Sequence, residues 1–331
     1  VECHRAGEIA PFALTEYDEV AGWASTMNEV VQEGRMPPWH ASPEHGKFAN
    51  DRALSTEEKA LIAQWVRDGA PQGDPAKKPP LPTFATGWGL PRQPDLVIPM
   101  ADQPYQVPAT GTVRYQYFSV DPELTEDRWI QASEVIPGNR AVVHHVLVFA
   151  KAPGLAGRGG VDGFLASYVP GLRPPVYPAG MAKRLPAGSR LIFQVHYTPI
   201  GTAQEDICKL GLIFVDESEV KHEVTTTSAA QRQLRIEPER ADQSFTATSR
   251  TAPTDVLLLG FMPHMHLRGQ AFRYEAVLPD GKREVLLDIP HYDFNWQTGY
   301  VLAEPRRLPA GSRITCQGVF DNSAGNLNNP D

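Results

Sequence analysis

Five of the ten histidines in the chain are candidates for metal binding: two close pairs and His196, which lies between the pairs in the sequence. His264 and His266 are two residues apart, so both imidazoles face the same side of an extended strand. His144 and His145 are adjacent, and a regular strand would point them to opposite faces. Only a twist, a bulge or a strand end lets both reach one metal ion. His196 lies on a separate β-type run and is a candidate third ligand. Together these five residues predict metal binding.

A duplicated hexapeptide places the histidine groups in two related segments. The sequence LPAGSR occurs at 185–190 and at 308–313, 123 residues apart, and the two histidine groups begin 120 residues apart. His196 stands eleven residues after the start of the first copy. The equivalent position in the second copy is Val319, which cannot bind a metal. Imidazoles without nearby carboxylates or thiolates suit copper or zinc. The difference between the copies favours two coppers with different roles over two identical zinc sites.

The C-terminal two thirds of the chain have an all-β pattern. Short β-type runs separated by turns are typical of sandwiches and barrels, and 31 prolines and 27 glycines argue against a long helical bundle. The predicted runs are 112–120, 142–149, 190–197, 210–215, 255–262, 271–277 and 313–320. We therefore expect two β-domains, at residues 94–217 and 218–331, with one histidine group in each.

The N-terminal residues 1–75 have a helical pattern instead. Apolar residues at helical spacing predict one helix over residues 15–34. Ser55 and Glu58 have the spacing of a capping box and predict the start of a second helix. A stretch rich in Pro, Lys and Gly, residues 76–93, predicts a linker between this segment and the β-domains.

Charge and hydropathy exclude two classes of partner. The net charge is −8, and the chain has no basic run, which makes nucleic acid an unsuitable partner. No stretch approaches the roughly 18 apolar residues of a membrane-spanning helix. The chain begins without a methionine or a signal peptide, and we expect that residues once preceded Val1.

Three histidine motifs together resemble the copper type II, ascorbate-dependent monooxygenases, the family of peptidylglycine α-hydroxylating and dopamine β-monooxygenases. The motifs are His144-His145, Gln194-Val195-His196-Tyr197, and His264-Met265-His266 followed by Gly269. The resemblance covers about residues 94–331 and implies two jelly-roll-like β-sandwich domains with one copper each. It implies that His144, His145 and His196 hold an electron-transferring copper. His264 and His266 then belong to the copper that binds and activates O₂.

The chain departs from the family pattern at several positions. The family completes its second copper site with a methionine near the C-terminus, but the last methionine here is Met265. We therefore expect the third ligand beyond Asp331. Peptide-hydroxylating members carry an arginine for the substrate carboxylate where Met262 stands here, so peptidyl-glycine is not the expected substrate. Cys208 and Cys316 resemble family cysteines that pair with other cysteines, and a bond between these two is left open.

The start of the chain resembles a c-type haem attachment site. Cys3-His4 matches the end of a C-x-x-C-H motif whose first cysteine would precede residue 1. The resemblance implies a small, class I-like cytochrome c domain with His4 and Met36 as axial ligands of haem c. Met27 is a rival ligand, but it lies in the apolar stripe of a helix and is expected in the core. The alternative is a lone Cys-His pair without a cofactor.

These observations predict a multidomain protein, with a small all-α cytochrome c-like domain followed by two all-β jelly-roll-like sandwich domains. The predicted activity is that of a copper-dependent monooxygenase, which uses O₂ to hydroxylate an activated C–H of a small organic substrate. Electrons would pass from an external donor through the haem, and Gln194 would help to orient His196.

Two alternatives of other classes remain open. One is a copper and haem electron-transfer protein or a non-catalytic subunit of a periplasmic assembly; the other is a zinc-binding structural protein. Haem attachment and copper predict a periplasmic or secreted protein.

Overall fold

The structure, a computed structural model, describes residues 3–5, 8, 10–83, 87–153, 163–231 and 233–329. The chain forms two compact units. The first consists of Val1–Val20 and Ala76–Ser228, and the second of Ala21–Pro75 and Ala229–Asp331. None of the helices in the described ranges combines the length and the apolar character needed to cross a membrane.

The first unit is a β-sandwich. Its strands are β1 (Leu96–Pro99), β2 (Tyr105–Val107), β3 (Gln116–Val120), β4 (Arg128–Ile136), β5 (Val143–Lys151), β6 (Phe164–Tyr168), β7 (Met181–Leu185), β8 (Arg190–Tyr197), β9 (Gln204–Asp206), β10 (Lys209–Val215) and β11 (His222–Glu223). They form one sheet in the order β1-β10-β4-β7-β11, a second in the order β3-β8-β5-β6, and the pair β2-β9. Side chains of both larger sheets, such as Ile130 of β4 and Phe193 of β8, meet in one buried core.

The second unit contains a smaller sandwich. Its strands are β12 (Gln243–Thr248), β13 (Val256–Phe261), β14 (Gly269–Val277), β15 (Arg283–Ile289), β16 (Tyr300–Leu308) and β17 (Arg313–Phe320). A sheet in the order β12-β17-β14-β15 accompanies the pair β13-β16. Leu287 of β15 and Tyr300 of β16 belong to the core that these strands share.

The two sandwiches contain the same arrangement of six strands. The sheet β3-β8-β5-β6 corresponds strand for strand to β12-β17-β14-β15, and the paired strands β4 and β7 correspond to β13 and β16. Each LPAGSR sequence forms the turn that leads into β8 or β17. We call this arrangement the six-strand motif; its first copy is β3–β8 and its second is β12–β17.

An aspartate anchors the LPAGSR turn in both copies. Asp127, just before β4, accepts a hydrogen bond from the Ala187 N–H at 2.8 Å and pairs with Arg184. Asp255, just before β13, accepts one from the Ala310 N–H at 2.9 Å and pairs with Arg307. The internal repeat is therefore a repeat of three-dimensional structure as well as of sequence.

The helices are α1 (Tyr17–Gly22), α2 (Ala24–Gln32) and α3 (Thr56–Arg67). The predicted capping box starts α3: the Ser55 hydroxyl accepts from the Glu58 N–H at 3.2 Å, and the Glu58 carboxylate accepts from the Ser55 N–H at 2.8 Å. The single helix expected over residues 15–34 is instead two short helices that meet at Trp23.

The prediction of a small all-α cytochrome c-like domain is wrong, whereas the predicted β-sandwich parts of the fold fit the structure. Neither α1 nor α3 has a buried residue, so these helices enclose no core of their own. The segment between α2 and α3 joins the core of the second unit instead. There Trp39 and Phe48 place their rings 4.9 Å and 5.5 Å from that of Tyr300. Two apolar side chains of the N-terminal segment, Trp39 and Phe48, are thus part of the core of a β-sandwich.

Residues 3–20 are likewise part of a β-unit. Glu8, for example, forms an ion pair with Arg140 of the first unit at 3.1 Å. The N-terminal segment is therefore divided between two sandwiches, which a helical pattern read along the sequence cannot reveal.

Candidate metal centres

The first histidine group is brought together by a β-bulge. Strands β5 and β8 are antiparallel neighbours, and their register pairs His145 with His196. The register shifts between Val143 and His145, so His144 is the extra residue of a bulge. This is one of the distortions that the adjacent histidines required. The three imidazoles offer ligand atoms that all lie within 4.8 Å of one another.

The separations within this group fit a shared metal ion. The Nδ1 atoms of His144 and His145 are 3.0 Å apart. Two nitrogens bound to one metal at about 2.0–2.1 Å, with an angle near 90–110°, are about 2.8–3.4 Å apart. A hydrogen bond from one ring to the other would have a similar length. His196 favours the metal, because its Nδ1 is buried without a hydrogen-bond partner among the described residues.

The surroundings favour the neutral form of His144 and His196, which is the form that binds metals. Burial lowers the pKa of His144. Burial also lowers the pKa of His196, and the nearby His144 lowers it further. The Tyr115 ring covers two of the histidines, with its centre 4.9 Å from that of His196 and 5.6 Å from that of His145.

Gln194, predicted to orient His196, has a different partner. Its Nε2 donates a hydrogen bond to the Tyr117 hydroxyl at 2.7 Å, across the β3–β8 pair. Gln194 therefore ties the strand of His196 to β3 rather than bonding the imidazole.

A buried carboxylate that the sequence analysis missed supports the first group. Asp206 is 1% exposed and accepts hydrogen bonds from the Tyr197 hydroxyl at 2.9 Å and the Asn139 N–H at 2.8 Å. The Cys208 thiol lies 3.0 Å from the same carboxylate, and burial raises its pKa well above the usual range, so it stays protonated and donates. Asp206 therefore links Tyr197, the residue after His196, to Asn139 in the loop before the bulge.

The second histidine group lies in the loop between β13 and β14. Along this loop buried and exposed residues alternate: Phe261, Pro263 and Met265 are buried, and Met262, His264 and His266 are exposed. The two imidazoles therefore share one face, as their spacing predicts, although the segment is not part of a regular strand. Met262 lies on the same face.

The second pair also has the spacing of a shared metal site. The Nε2 atoms of His264 and His266 are 3.3 Å apart, within the range given above. On its other edge, His264 places Nδ1 2.8 Å from the Gln297 side-chain oxygen. The Phe294 ring stacks on His266 at 6.1 Å. Protein around the ring lowers the pKa of His264; the bond to Gln297 opposes this shift, and His266 adds to it.

The buried side of this loop is locked in place. The Met265 side chain is 3% exposed, and the Tyr292 hydroxyl accepts from the Met265 N–H and donates to its carbonyl, both at 3.0 Å. A Cβ atom at Gly269 would lie 2.7 Å from the Met265 Cβ, and one at Gly318 would lie 3.2 Å from its sulfur. A side chain at Gly269 would therefore collide with Met265, and one at Gly318 would require the Met265 sulfur to shift.

The two groups occupy different places in the six-strand motif. The second copy has a bulge at the same position as the first, between Gly269 and Ala271 of β14. The register matches His144, His145 and His196 with Gln270, Ala271 and Val319. The similar sequence spacing of the two groups is therefore not structural equivalence, because His264 and His266 precede the bulge. The absence of an imidazole at Val319 agrees with the sequence analysis.

Among the described residues, only the first group brings three His, Cys, Asp or Glu side chains together. The ligand expected beyond Asp331 lies outside them. Cys208 and Cys316 are buried free thiols that belong to different units, so the bond that the sequence left open is not formed.

The residues predicted to bind haem are divided between the units. Cys3 and His4 belong to the first unit, and Met36 belongs to the second. The Cys3 side chain is half-buried. His4 Nδ1 lies 3.1 Å from the Phe12 carbonyl oxygen, and Nε2 takes no part in this contact.

Comparisons with known proteins add little. No protein-family model matches the chain, and no curated protein matches it. Among solved structures, it is similar to allantoicase from Saccharomyces cerevisiae, with 10% identity over 66% of this chain and 79% of that chain and a TM-score of 0.18. It is also similar to the Macrobrachium rosenbergii nodavirus, with 9% identity over 78% and 95% of the two chains and a TM-score of 0.18. Such low scores carry no argument about fold or function.

Proposed function

We propose that this protein is a copper-dependent monooxygenase that hydroxylates an activated C–H bond of a small organic substrate with O₂. The observation that carries the proposal is the presence of two imidazole groups with metal-ligand spacing and different ligand sets. The histidine motifs that resemble the ascorbate-dependent copper monooxygenases are the residues that form these groups. Bound copper would supply one-electron redox chemistry and the activation of O₂.

The two histidine groups would have different roles in this reaction. His144, His145 and His196 would hold the electron-transferring copper, with Tyr115 covering two of the three rings. A group with three imidazoles and an aromatic cover has fewer open positions than an exposed pair. His264 and His266, whose exposed face points to solvent, would hold the copper that meets O₂ and substrate.

The neighbourhood of the second pair favours an uncharged substrate. Met262 shares the exposed face of His264 and His266, and Phe294 stacks on His266. Arg268, the basic residue next to this loop, donates from Nε to the Asn322 side chain at 2.6 Å. An apolar group next to the pair would bind uncharged organic molecules better than carboxylates.

Electron delivery through haem c remains the predicted part of this proposal, with Cys3 as the attachment residue and His4 as an axial ligand; Met36, the second axial ligand that the sequence predicts, belongs to the other unit. The hydrogen bond between His4 and Phe12 suits a ligating histidine. Haem c and copper together would place the protein in the periplasm or outside the cell. The absorption spectrum of the alkaline pyridine complex, with mass spectrometry of the peptide that contains Cys3, tests for the covalent haem.

A second candidate function is a copper electron-transfer protein or a non-catalytic subunit. The described part of the chain favours it in one respect, since no third His, Cys, Asp or Glu side chain joins His264 and His266 there. Such a protein would bind and exchange electrons but would not consume O₂ with a substrate.

Metal analysis followed by an O₂-consumption screen separates these functions. We expect two coppers per full-length chain, one lost in His144→Ala and the other in His264→Ala. We expect the reduced protein to consume O₂ with some uncharged organic substrates and to form hydroxylated product. Copper binding without O₂ consumption would support the electron carrier, and stoichiometric zinc in place of copper would support the structural alternative.

A further inference from the structure

The Gln297 amide and the His264 ring form a contact that metal binding alone does not explain. The Gln297 side-chain oxygen lies 2.8 Å from His264 Nδ1. The other ring nitrogen, Nε2, lies 3.3 Å from Nε2 of His266. His264 is therefore held on one edge and presents the opposite edge to its partner histidine.

The backbone around Gln297 is well fixed. The segment 293–298 is closed by hydrogen bonds from the Trp296 N–H to the Asp293 carbonyl at 3.1 Å and from the Thr298 N–H to the Trp296 carbonyl at 2.9 Å. It leads directly into β16, whose first residue, Tyr300, is 2% exposed. The same segment carries Phe294, which stacks on His266. One short segment thus contacts both imidazoles of the pair.

The Gln297 amide is also incompletely satisfied. The residue is 6% exposed, and its Nε2 has no hydrogen-bond partner among the described residues. Buried polar groups without partners are uncommon in folded proteins. An apolar side chain of similar size would fill this space without that cost. A glutamine at this position therefore has a use beyond packing.

We propose that Gln297 is a positioning residue for the histidine pair, an inference that rests on the proposed function of His264 as a metal ligand. The amide oxygen can only accept a hydrogen bond, and Nδ1 donates one only when it carries the proton, so Gln297 selects the tautomer of His264 in which Nε2 is unprotonated. Unprotonated Nε2 is the atom that faces His266. The unpaired amide N–H remains as a donor for water or another oxygen-containing molecule that enters the site.

The test compares three single variants of the full-length chain. Gln297→Leu removes the hydrogen bond and keeps the approximate volume, whereas Gln297→Glu keeps an oxygen acceptor for Nδ1–H. Gln243→Leu is the matched control: Gln243 is also buried in the second unit, but its amide bonds the backbone of Glu237 and Arg240. Circular dichroism and thermal unfolding establish that each variant folds.

Two measurements on these variants report on position rather than on folding. In metal-free protein labelled with ¹⁵N-histidine, NMR should identify His264 as the Nδ1–H tautomer in the wild type, in Gln297→Glu and in Gln243→Leu, and as a mixture in Gln297→Leu. The affinity of the second pair for Cu(I) is measured by competition in a His144→Ala background, which disables the first group. Gln297→Leu should reduce this affinity about 10–100-fold. Gln297→Glu should restore it.

The outcomes separate this inference from the proposed function. If His264 carries its proton on Nε2, or if its tautomer is the same in Gln297→Leu as in the wild type, Gln297 does not position the ring. If the tautomer depends on Gln297 but the wild-type pair binds no copper, the positioning role stands and the copper function fails.

Discussion

The two copies of the six-strand motif have the same backbone plan and different chemistry. Both have a bulge at the start of the second strand from the sheet edge, on β5 and on β14. In the first copy the bulge position is His144, and in the second it is Gln270. The second copy has its imidazoles in the preceding loop, at His264 and His266. The two copies share the scaffold, while each copy has its histidine group at a different position relative to the bulge.

The preserved parts are those on which the fold depends. Asp127 and Asp255 hold equivalent turns by equivalent bonds. The serines of the two LPAGSR turns, Ser189 and Ser312, are both buried, at 0% and 1% exposure. The candidate ligand residues, in contrast, differ between the copies, and their burial ranges from His145, which is 4% exposed, to the exposed His264 and His266.

The largest expected effect compares the two bulge residues. His144→Ala should abolish copper binding at the first group, with a loss of more than about 100-fold in affinity, because ligand removal exceeds the effect of a supporting residue. Gln270→Ala, at the matching position, should leave both coppers bound. Isothermal titration with a Cu(I) chelator as competitor measures both. Undiminished copper content in His144→Ala would show that the bulge does not create the site.

The next effect concerns a buried charge that only the first copy contains. Lys183 is 8% exposed, with Nζ 2.7 Å from both the Phe164 carbonyl and the Thr226 hydroxyl. Burial lowers the pKa of Lys183 to about 8. Its counterpart in the second copy, Arg306, is exposed and paired with Glu284.

Between about pH 8 and pH 10.4, the unfolded chain binds more protons at Lys183 than the folded one does, so this residue makes the free energy of unfolding rise with pH. The rise should reach up to about 3 kcal/mol. Urea unfolding of the wild type and of Lys183→Met across this range measures the difference, with Arg306→Met as the control. Equal pH slopes for the wild type and Lys183→Met would contradict the buried-charge interpretation.

A smaller effect tests the buried side of the second loop. Gly269 corresponds to Val143 of the first copy, where a side chain is accommodated. Gly269→Ala should destabilise the second unit by about 1–3 kcal/mol, because the new Cβ collides with Met265. Copper affinity at the pair should fall as Met265 moves. Gly22→Ala is the control, since a Cβ at Gly22 meets no atom within 4 Å.

The smallest effect is expected at the two turn aspartates, which are exposed. The Ala187 N–H and the Arg184 guanidinium lower the pKa of Asp127, and the Arg307 guanidinium and the Ala310 N–H lower the pKa of Asp255. Their stabilising effect is therefore complete above the ordinary aspartate value of about 3.9 and is lost as the pH falls below it.

The variants Asp127→Asn and Asp255→Asn should lower Tm slightly and equally at pH 7. At pH 2 neither should differ from the wild type. Unequal changes at pH 7 would show that the equivalent bonds differ in strength.

Sequence patterns predicted the elements whose signals are local. The bounds of β8 and β17 agree with the predicted runs 190–197 and 313–320, because each run follows a clear turn and has continuous β-type residues. The capping box of α3 was also predictable, since both of its partners lie within four residues. What the helices pack against was not, because the apolar face of a helix does not identify its partner.

The candidate sites, like the fold, could be predicted from the sequence only in part. The five histidines could be named from residue type and spacing. The sequence also showed that His144 and His145 could bind one metal ion only with a twist, a bulge or a strand end. The register that pairs His145 with His196 depends on how two distant strands align. Gln297 and Asp206 had no recognisable motif, since each reaches its partner only through the folded backbone.

The bulge at His144 has a consequence for how such a site arises. A bulge is one residue inserted into a strand that is otherwise regularly paired. Deleting His144 would restore an even ladder and leave only His145 and His196 opposite each other, two imidazoles in place of three, with Val146, Val148 and the rest of the buried core unchanged. A metal centre built in this way can be gained or lost through the insertion or deletion of a single codon, independently of the evolution of the sandwich that carries it.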